Sequence, residues 1–215
     1  MTDTAPRELP LQELDEVIIR FAGDSGDGMQ LTGDQFTSIS AALGNDLATL
    51  PEFPAEIRAP QGTLAGVSAF QVRISDFAIT TPGDAPTVLV AMNPAALKAQ
   101  LHNLVQGGAV IVNTDAFNER NLEKAGYESD PLEDGTLDGY RSYPVPMSQI
   151  TKDAVAVHGV KPRDAERSKN FFALGLISWM YTRPTEPTME FISTKFRGKE
   201  LVIKANEAAF QAGYN

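Results

Sequence analysis

The sequence contains no cysteine, which excludes disulfides, thiolate metal ligands, cysteine nucleophiles and cysteine-ligated iron–sulfur clusters from this chain. Histidine is scarce, with only His102 and His158, and neither has a serine or carboxylate at a spacing typical of catalysis. We therefore predict no catalytic residue and no metal site on this chain. A redox centre, if one is needed, must lie on another chain or arrive with a cofactor.

Positive charge and long apolar runs are scarce as well. The chain carries 18 Lys and Arg against 28 Asp and Glu, and it has no basic run suited to nucleic acid or an anionic membrane. The most apolar segment, residues 171–181, is too short to span a bilayer. Residues 1–14 lack the apolar core of a signal peptide. We predict a cytoplasmic protein with neither nucleic-acid nor membrane partners.

The length of 215 residues suffices for one well-buried core, so we predict a single domain over residues 15–215 behind a flexible leader, residues 1–14. Strand patterns occur at residues 17–22, 46–50, 67–75, 87–92, 109–112 and 140–145. Helical patterns occur at residues 29–43, 93–104, 118–126, 148–157, 164–181, 187–196 and 199–212. This alternation predicts an α/β fold, a Rossmann-like three-layer sandwich with a mostly parallel sheet and helices on both faces.

A glycine-rich turn, Gly23-Asp24-Ser25-Gly26-Asp27-Gly28, separates the first strand from the first helix. Such a turn exposes backbone N–H groups at the positive end of a helix, which favours phosphate or carboxylate binding. The spacing G-x-x-G-x-G differs from the dinucleotide fingerprint, and no Walker lysine follows. Asp24 and Asp27 would repel a bare phosphate unless they face elsewhere, and both suit helix capping or bonds from hydroxyl groups. The alternative is a tight turn without a ligand.

The next segment, residues 51–66, holds three prolines and two glycines and predicts an ordered functional loop. Within it, Arg58 suits a bidentate contact to phosphate or carboxylate; the alternative is a surface arginine paired with Glu52 or Glu56. Glu52 stands where a nicotinamide-binding fold places its ribose-contacting acid, unless it is a solvated loop residue. Arg73, on the following strand, is either a second anion contact or an edge-strand charge.

Three segments together resemble a known family: the strand leading into residues 23–28, residues 51–68 (PEFPAEIRAPQGTLAGVS) and residues 169–175 (KNFFALG). They resemble the gamma domain of 2-oxoacid:ferredoxin oxidoreductases, above all the form fused to the start of the alpha subunit of 2-oxoglutarate:ferredoxin oxidoreductase. The resemblance covers about residues 15–215. It implies one gamma domain, either a fragment of a longer alpha subunit or a separately encoded gamma subunit.

The resemblance also implies a function. The complete enzyme of this family oxidatively decarboxylates a 2-oxo acid to an acyl-CoA and reduces ferredoxin; for 2-oxoglutarate the product is succinyl-CoA. Thiamine diphosphate, Mg²⁺ and the iron–sulfur cluster are expected only on the catalytic alpha and beta parts. The gamma domain is expected to bind CoA and to help assemble the enzyme, without turning over substrate alone. The positions that the resemblance assigns to CoA are Gly23, Asp24, Ser25, Gly26, Asp27, Gly28, Arg58, Gln61 and Asn170.

Some of these positions have a second interpretation. Arg58 and Gln61 also suit the interface to the catalytic part, and Asn170 suits a structural role at a helix start. For the whole chain, two alternatives remain open. One is a nicotinamide-dependent oxidoreductase domain, although the glycine spacing does not match the dinucleotide fingerprint. The other is a purely structural module that docks through the apolar helix at residues 171–181.

Overall fold

The computed structural model describes residues 11–56 and 58–215. Six strands are present in this part of the chain: β1 Glu16–Asp24, β2 Asp46–Glu52, β3 Val67–Ser75, β4 Val88–Ala91, β5 Ala109–Asn113 and β6 Arg141–Val145. They form one sheet in the order β2-β3-β1-β4-β5-β6. Within these residues β3 alone runs antiparallel to its neighbours. The predicted α/β fold with a mostly parallel sheet is confirmed.

Helices cover both faces of this sheet. They are α1 Met29–Ala42, α2 Pro94–Gln100, α3 Glu119–Lys124, α4 Met147–Ala156, α5 Pro162–Ala165, α6 Lys169–Met180, α7 Glu186–Lys195 and α8 Glu200–Tyr214. One core, which includes Phe36 and Phe210, lies between the sheet and α1, α4, α6, α7 and α8. The other core, which includes Leu97 and Ala125, lies under α2 and α3. The fold thus has the three layers that the sequence predicts.

The antiparallel strand follows from the connection that precedes it. Among the described residues between β2 and β3, the one helical element is a 3₁₀ turn at Leu64–Gly66, so the loop at residues 53–66 returns the chain directly and β3 runs antiparallel beside β2. Because β3 lies between β2 and β1, the interpretation of Arg73 as an edge-strand charge is wrong. Arg73 instead forms an ion pair with Glu16 of β1, with 2.9 Å between Nη2 and Oε2.

Two sequence-based expectations need adjustment. The single helix predicted at residues 164–181 is divided into α5, a 3₁₀ turn at Glu166–Ser168 and α6. The tighter turn positions Ser168 so that its hydroxyl donates to Asn206 Oδ1 of α8 (2.7 Å). Of the predicted leader, residues 1–10 lie outside the described residues, and residues 11–14 have no regular secondary structure. No described helix has both the length and the apolar character needed to cross a bilayer.

The outer strand β6 is mostly exposed. Its Tyr143 is 44% exposed, and its Pro144 lacks a backbone N–H. Around this edge, Tyr143 lines a shallow apolar depression together with Leu176, Trp179 and Tyr214. Trp179 is 46% exposed, which is a large exposed fraction for so large an apolar side chain.

Helices α6 and α8 pack with their backbones in direct contact. A Cβ on Gly175 would overlap the Phe210 carbonyl oxygen, and a Cβ on Gly213 would overlap the Phe172 carbonyl oxygen. The two glycines therefore do not interrupt the helices; each allows the partner helix to approach. This close contact makes α6 and α8 one rigid unit behind the sheet.

Substitution of Gly213 by alanine should destabilise the fold by about 3 kcal/mol, because the clashing atom is backbone and cannot rotate away. Urea unfolding followed by circular dichroism measures the change. Gly26→Ala is the matched control, since a Cβ there meets no atom within 4 Å. Equal stabilities of the two variants would contradict the close packing.

Candidate functional site

The candidate site lies where the sheet changes its winding direction. Helix α1 follows β1 onto one face, and α2 follows the adjacent parallel strand β4 onto the other face. Between the carboxyl ends of two such strands an α/β sheet leaves a crevice in which ligands bind. Here that crevice has a volume of about 190 Å³, and its polar lining includes Asp24, Asp27, Gln61, Asn93, Lys124 and Lys169.

The glycine turn is closed by its own side chains. Asp24 N–H donates to Asp27 Oδ2 (3.0 Å), and Asp27 N–H donates to the Asp24 carbonyl (2.9 Å). A Cβ on Gly23 would lie 2.9 Å from Asp27 Oδ2, so a larger residue there would displace that carboxylate. Gly28, with a φ of 76°, begins α1 without any side-chain cap. Neither aspartate therefore caps α1, and Asp27 fills part of the turn with a carboxylate.

Asp24 connects the turn to the proline-rich loop. The Gly62 N–H lies 3.1 Å from each of its carboxylate oxygens, and the Ser25 N–H donates to the Gly66 carbonyl (3.2 Å). Burial raises the pKa of Asp24 above its ordinary value, although the Gly62 N–H opposes that rise. The two segments that the sequence singles out are thus brought together, with the loop folded over the carboxyl end of β1.

Lys169 neutralises the turn from the other side. Its Nζ lies 2.9 Å from Asp27 Oδ1 and 3.8 Å from Glu166 Oε2, and the side chain is only 16% exposed. Burial lowers the pKa of Lys169, but Asp27, Glu166 and Asp24 together raise it above the ordinary value. Lys169 is therefore positively charged at neutral pH. The buried lysine fixes the start of α6 against the start of α1.

Arg58 lies on the exposed surface of the loop, in the left-handed region with a φ of 65°. Within residues 11–56 and 58–215 it forms no ion pair, so the alternative interpretation, a pairing with Glu52 or Glu56, is not found. Glu52 is held by Arg20 and by Gln100 Nε2 (3.3 Å) instead. The guanidinium of Arg58 is exposed to solvent, and Glu52 is not a free loop carboxylate.

Gln61 does lie at the crevice, together with a lysine that the sequence patterns do not single out. Lys124 Nζ donates to the Gln61 carbonyl (3.1 Å), which ties the end of α3 to the loop. Lys124 and Lys169 are the two positively charged residues of the crevice lining. No local motif marks Lys124, whereas Lys169 is marked only by its place in the segment 169–175.

Asn170 lies behind the turn rather than in the crevice. It is 5% exposed, and its Nδ2 would lie 2.7 Å from a Cβ at Gly28, so the two residues are in close contact. Its Oδ1 is buried without a hydrogen-bond partner. Asn170 is the second residue of α6 and does not cap that helix, whose Ncap is Ser168. It lines a separate cavity on the side of α8.

Together, the fold and the crevice define a doubly wound α/β domain with an open crevice at the carboxyl ends of its central strands. The match to known proteins is more specific. Residues 18–215 match the family model described as Pyruvate ferredoxin/flavodoxin oxidoreductase, and the chain belongs to this family.

Among curated relatives, the chain is 57% identical over 204 residues to the 2-oxoglutarate oxidoreductase subunit KorA of Mycobacterium tuberculosis. That match covers 95% of this chain and 31% of the relative. It is 25% identical to the ketoisovalerate oxidoreductase subunit VorA of Methanothermobacter marburgensis, covering 98% of this chain and 38% of the relative. The chain thus spans about a third of the length of the curated relatives it matches.

Solved structures show the same fold. The 2-oxoglutarate:ferredoxin oxidoreductase from Magnetococcus marinus, with 2-oxoglutarate, coenzyme A and succinyl-CoA bound, matches with a TM-score of 0.69 and 28% identity. The match covers 93% of this chain and 31% of that chain. The keto/oxoacid ferredoxin oxidoreductase gamma subunit from Geobacter sulfurreducens matches with a TM-score of 0.62 and 20% identity. The match covers 92% of this chain and 96% of that chain, and this likeness concerns the fold alone.

The Asp27–Lys169 ion pair should couple strongly in a double-mutant cycle. Asp27→Asn and Lys169→Met should each cost about 3 kcal/mol, because each leaves a buried charge without its partner. The double variant should cost about 2 kcal/mol less than the sum of the two. Because the pKa of Lys169 is raised, this stabilisation is fully present below pH 10.5 and is lost as the pH rises through the folded-state pKa. Urea unfolding at pH 7 tests the coupling, and strictly additive costs would contradict it.

Proposed function

We propose that this chain is the CoA-binding and assembly domain of a 2-oxoacid:ferredoxin oxidoreductase acting on 2-oxoglutarate. The complete enzyme would oxidatively decarboxylate 2-oxoglutarate to succinyl-CoA and reduce ferredoxin. The observation that carries this proposal is the 57% identity, over 95% of the chain, to a 2-oxoglutarate oxidoreductase subunit. The reaction would belong to the assembled enzyme, because this chain corresponds to about a third of that subunit.

Residues 15–215 would act as one gamma domain in a cytoplasmic complex. Thiamine diphosphate, Mg²⁺ and the iron–sulfur cluster would lie on the catalytic alpha and beta parts. For the cluster this agrees with the sequence, because this chain contains no cysteine to ligate it. Ferredoxin would bind to other parts of the complex and not to this domain. In this arrangement the gamma domain contributes to CoA recognition and to the contacts that hold the catalytic parts.

CoA binding is supported by the chemistry of the crevice and by the relatives. The structurally similar Magnetococcus marinus enzyme contains CoA and succinyl-CoA. In this chain the crevice offers Lys124 and Lys169 to phosphate oxygens, and the adjoining loop presents Arg58 to solvent. The residues proposed to contact CoA at the crevice and its loop remain Gly23 to Gly28, Arg58 and Gln61, whereas Asn170, also assigned to CoA from the sequence, would contact it only from the separate cavity that it lines. To these we add Lys124, because it is tied to the Gln61 backbone.

The assembly role is supported by the apolar surface beside β6. Trp179 and Tyr143 are about half exposed and line one depression, which suits burial against another protein surface.

The alternative function, a nicotinamide-dependent oxidoreductase domain, has no comparable structural support in the described residues. Glu52, the residue that would contact a ribose, is instead held by Arg20 and Gln100.

CoA should bind to this chain or to its complex with the catalytic parts. Lys124→Ala and Arg58→Ala should each weaken CoA binding about tenfold, because each removes a phosphate contact. Isothermal titration calorimetry measures the affinity. Lys204→Ala is the charge-matched control, because Lys204 is exposed on α8 and does not line the crevice. Absence of CoA binding in both samples, or affinities equal to that of the control variant, would overturn the CoA assignment.

Trp179→Asp should abolish co-purification with the catalytic parts while the circular dichroism spectrum stays unchanged, because the charge would be buried in the contact. Val157→Asp is the control, since Val157 is 81% exposed and lies outside the β6 depression. Size-exclusion chromatography of the mixed components reports the assembly. Retention of the complex by the Trp179 variant would assign docking to another surface.

A further inference from the structure

Another cavity lies at the opposite edge of the sheet from the crevice, where the parallel strands begin. Its volume is about 460 Å³, within the range of small-molecule sites. Its lining includes residues at or next to the amino ends of four parallel strands, namely Val17, Val88, Ala109 and Arg141. This amino-end cavity has no lining residue in common with the crevice, so a ligand here would not occupy the CoA site proposed at the crevice.

Arg183 lies at the amino-end cavity without an anionic partner among the described residues. Its guanidinium carbon lies 5.9 Å from the Phe36 ring centroid, which packs the half-buried side chain against the core. Its Nη1 donates to Asn45 Oδ1 (2.9 Å), a neutral acceptor, and its Nε is buried without an acceptor. Burial lowers the pKa of Arg183 below its ordinary value. A carboxylate that enters the cavity beside this guanidinium would supply the missing counter-charge.

Arg141, the first residue of β6, brings a second positive charge to the same cavity. Its Nε donates to the Gly107 carbonyl (3.0 Å), which fixes the exposed side chain, and it forms no ion pair within residues 11–56 and 58–215. Burial raises the pKa of Tyr181 to about 12, although the charge of Arg141 opposes that rise. Tyr181, which also lines the cavity, therefore keeps its hydroxyl proton at neutral pH and is a potential donor to an anion.

The residue between Tyr181 and Arg183 has a strained backbone. Thr182 has a φ of 53°, in the left-handed region that β-branched residues rarely adopt. Its N–H donates to the Trp179 carbonyl (3.1 Å) and so helps to end α6, at a position that glycine usually occupies. A threonine there keeps a hydroxyl-bearing side chain at the cavity in spite of the strain. Such strain at a cavity wall is typical of residues that serve a binding site.

We propose that the amino-end cavity binds a small dicarboxylic acid, with one carboxylate at Arg183 and the other at Arg141. Two guanidinium groups without acidic partners match two carboxylates in charge, and the fork of donors on an arginine fits the planar carboxylate group. The aliphatic body of the acid would lie against the apolar part of the lining, which includes Val17, Ile74 and Val88.

Two acidic residues narrow the class of ligand further. Asp15 and Asp76 are exposed and also line the cavity, so they disfavour a ligand that carries a third negative charge. Tyr143 lines both this cavity and the β6 depression. Binding is therefore measured on the full chain alone, in which no partner covers that surface.

Isothermal titration calorimetry compares succinate with butyrate, an acid of the same chain length with a single carboxylate. Succinate should bind, and butyrate should bind about tenfold more weakly. Arg141→Gln should weaken succinate binding about tenfold and leave butyrate binding unchanged, because butyrate has only the carboxylate that Arg183 holds. Arg183→Met should weaken both. Arg163→Gln is the control, an exposed arginine of α5 that does not line the cavity.

Thr182→Gly separates a role in binding from a role at the helix end. Glycine relieves the strain, so urea unfolding should show an equal or higher midpoint while the affinity for succinate falls several-fold. A variant that is as stable as the wild type and binds succinate equally tightly would contradict the placement of the ligand beside this residue.

Absence of succinate binding at millimolar concentration overturns the inference. An affinity for succinate that Arg141→Gln leaves unchanged also overturns it, as does inorganic phosphate that binds as tightly as succinate. If circular dichroism shows Arg183→Met to be unfolded, the exposed Arg141 carries the test alone. In each of these events CoA binding that depends on Lys124 would still stand. Conversely, succinate binding in a chain that does not bind CoA would leave this inference and remove the CoA assignment.

Discussion

The buried ion pair between Lys169 and Asp27 determines how the rest of the candidate site is arranged. Asp27 receives the Asp24 N–H as well as the lysine, and Asp24 in turn receives the Gly62 N–H. One continuous set of polar contacts therefore joins α6, the glycine turn and the loop at residues 53–66. The residues in this set come from three parts of the chain, so the site forms only when the whole domain folds.

This arrangement differs from an open phosphate-binding loop. In an open loop the backbone N–H groups point at the ligand, whereas here the N–H groups of Asp24, Ser25 and Asp27 already have protein acceptors. Recognition of an anion would then fall to lysine and arginine side chains and to the first turn of α1, which has no side-chain cap. The two aspartates organise the site and are already engaged by protein donors.

The sheet and its helices could be predicted from the sequence because they follow from apolar periodicity, and the glycine turn could be placed at the carboxyl end of β1 because it directly follows the first strand pattern. The role of Asp24 could not, because it depends on Gly62, which is 38 residues away in the chain. The edge-strand interpretation of Arg73 fails for a related reason, because the sequence of a strand does not determine its position in the sheet. The roles of Gly175 and Lys124 also depend on long-range contacts, with Phe210 of α8 and with the Gln61 carbonyl.

The outer strand β6 has a consequence for the handling of the isolated domain. An open strand edge is a template for pairing with other chains, and such pairing leads to aggregation. Pro144 removes one donor from this edge, the strand is only five residues long, and the chain repels its copies through its net charge of −10. The β6 edge is thereby protected against indiscriminate strand addition, which favours a stable domain in concentrated solution.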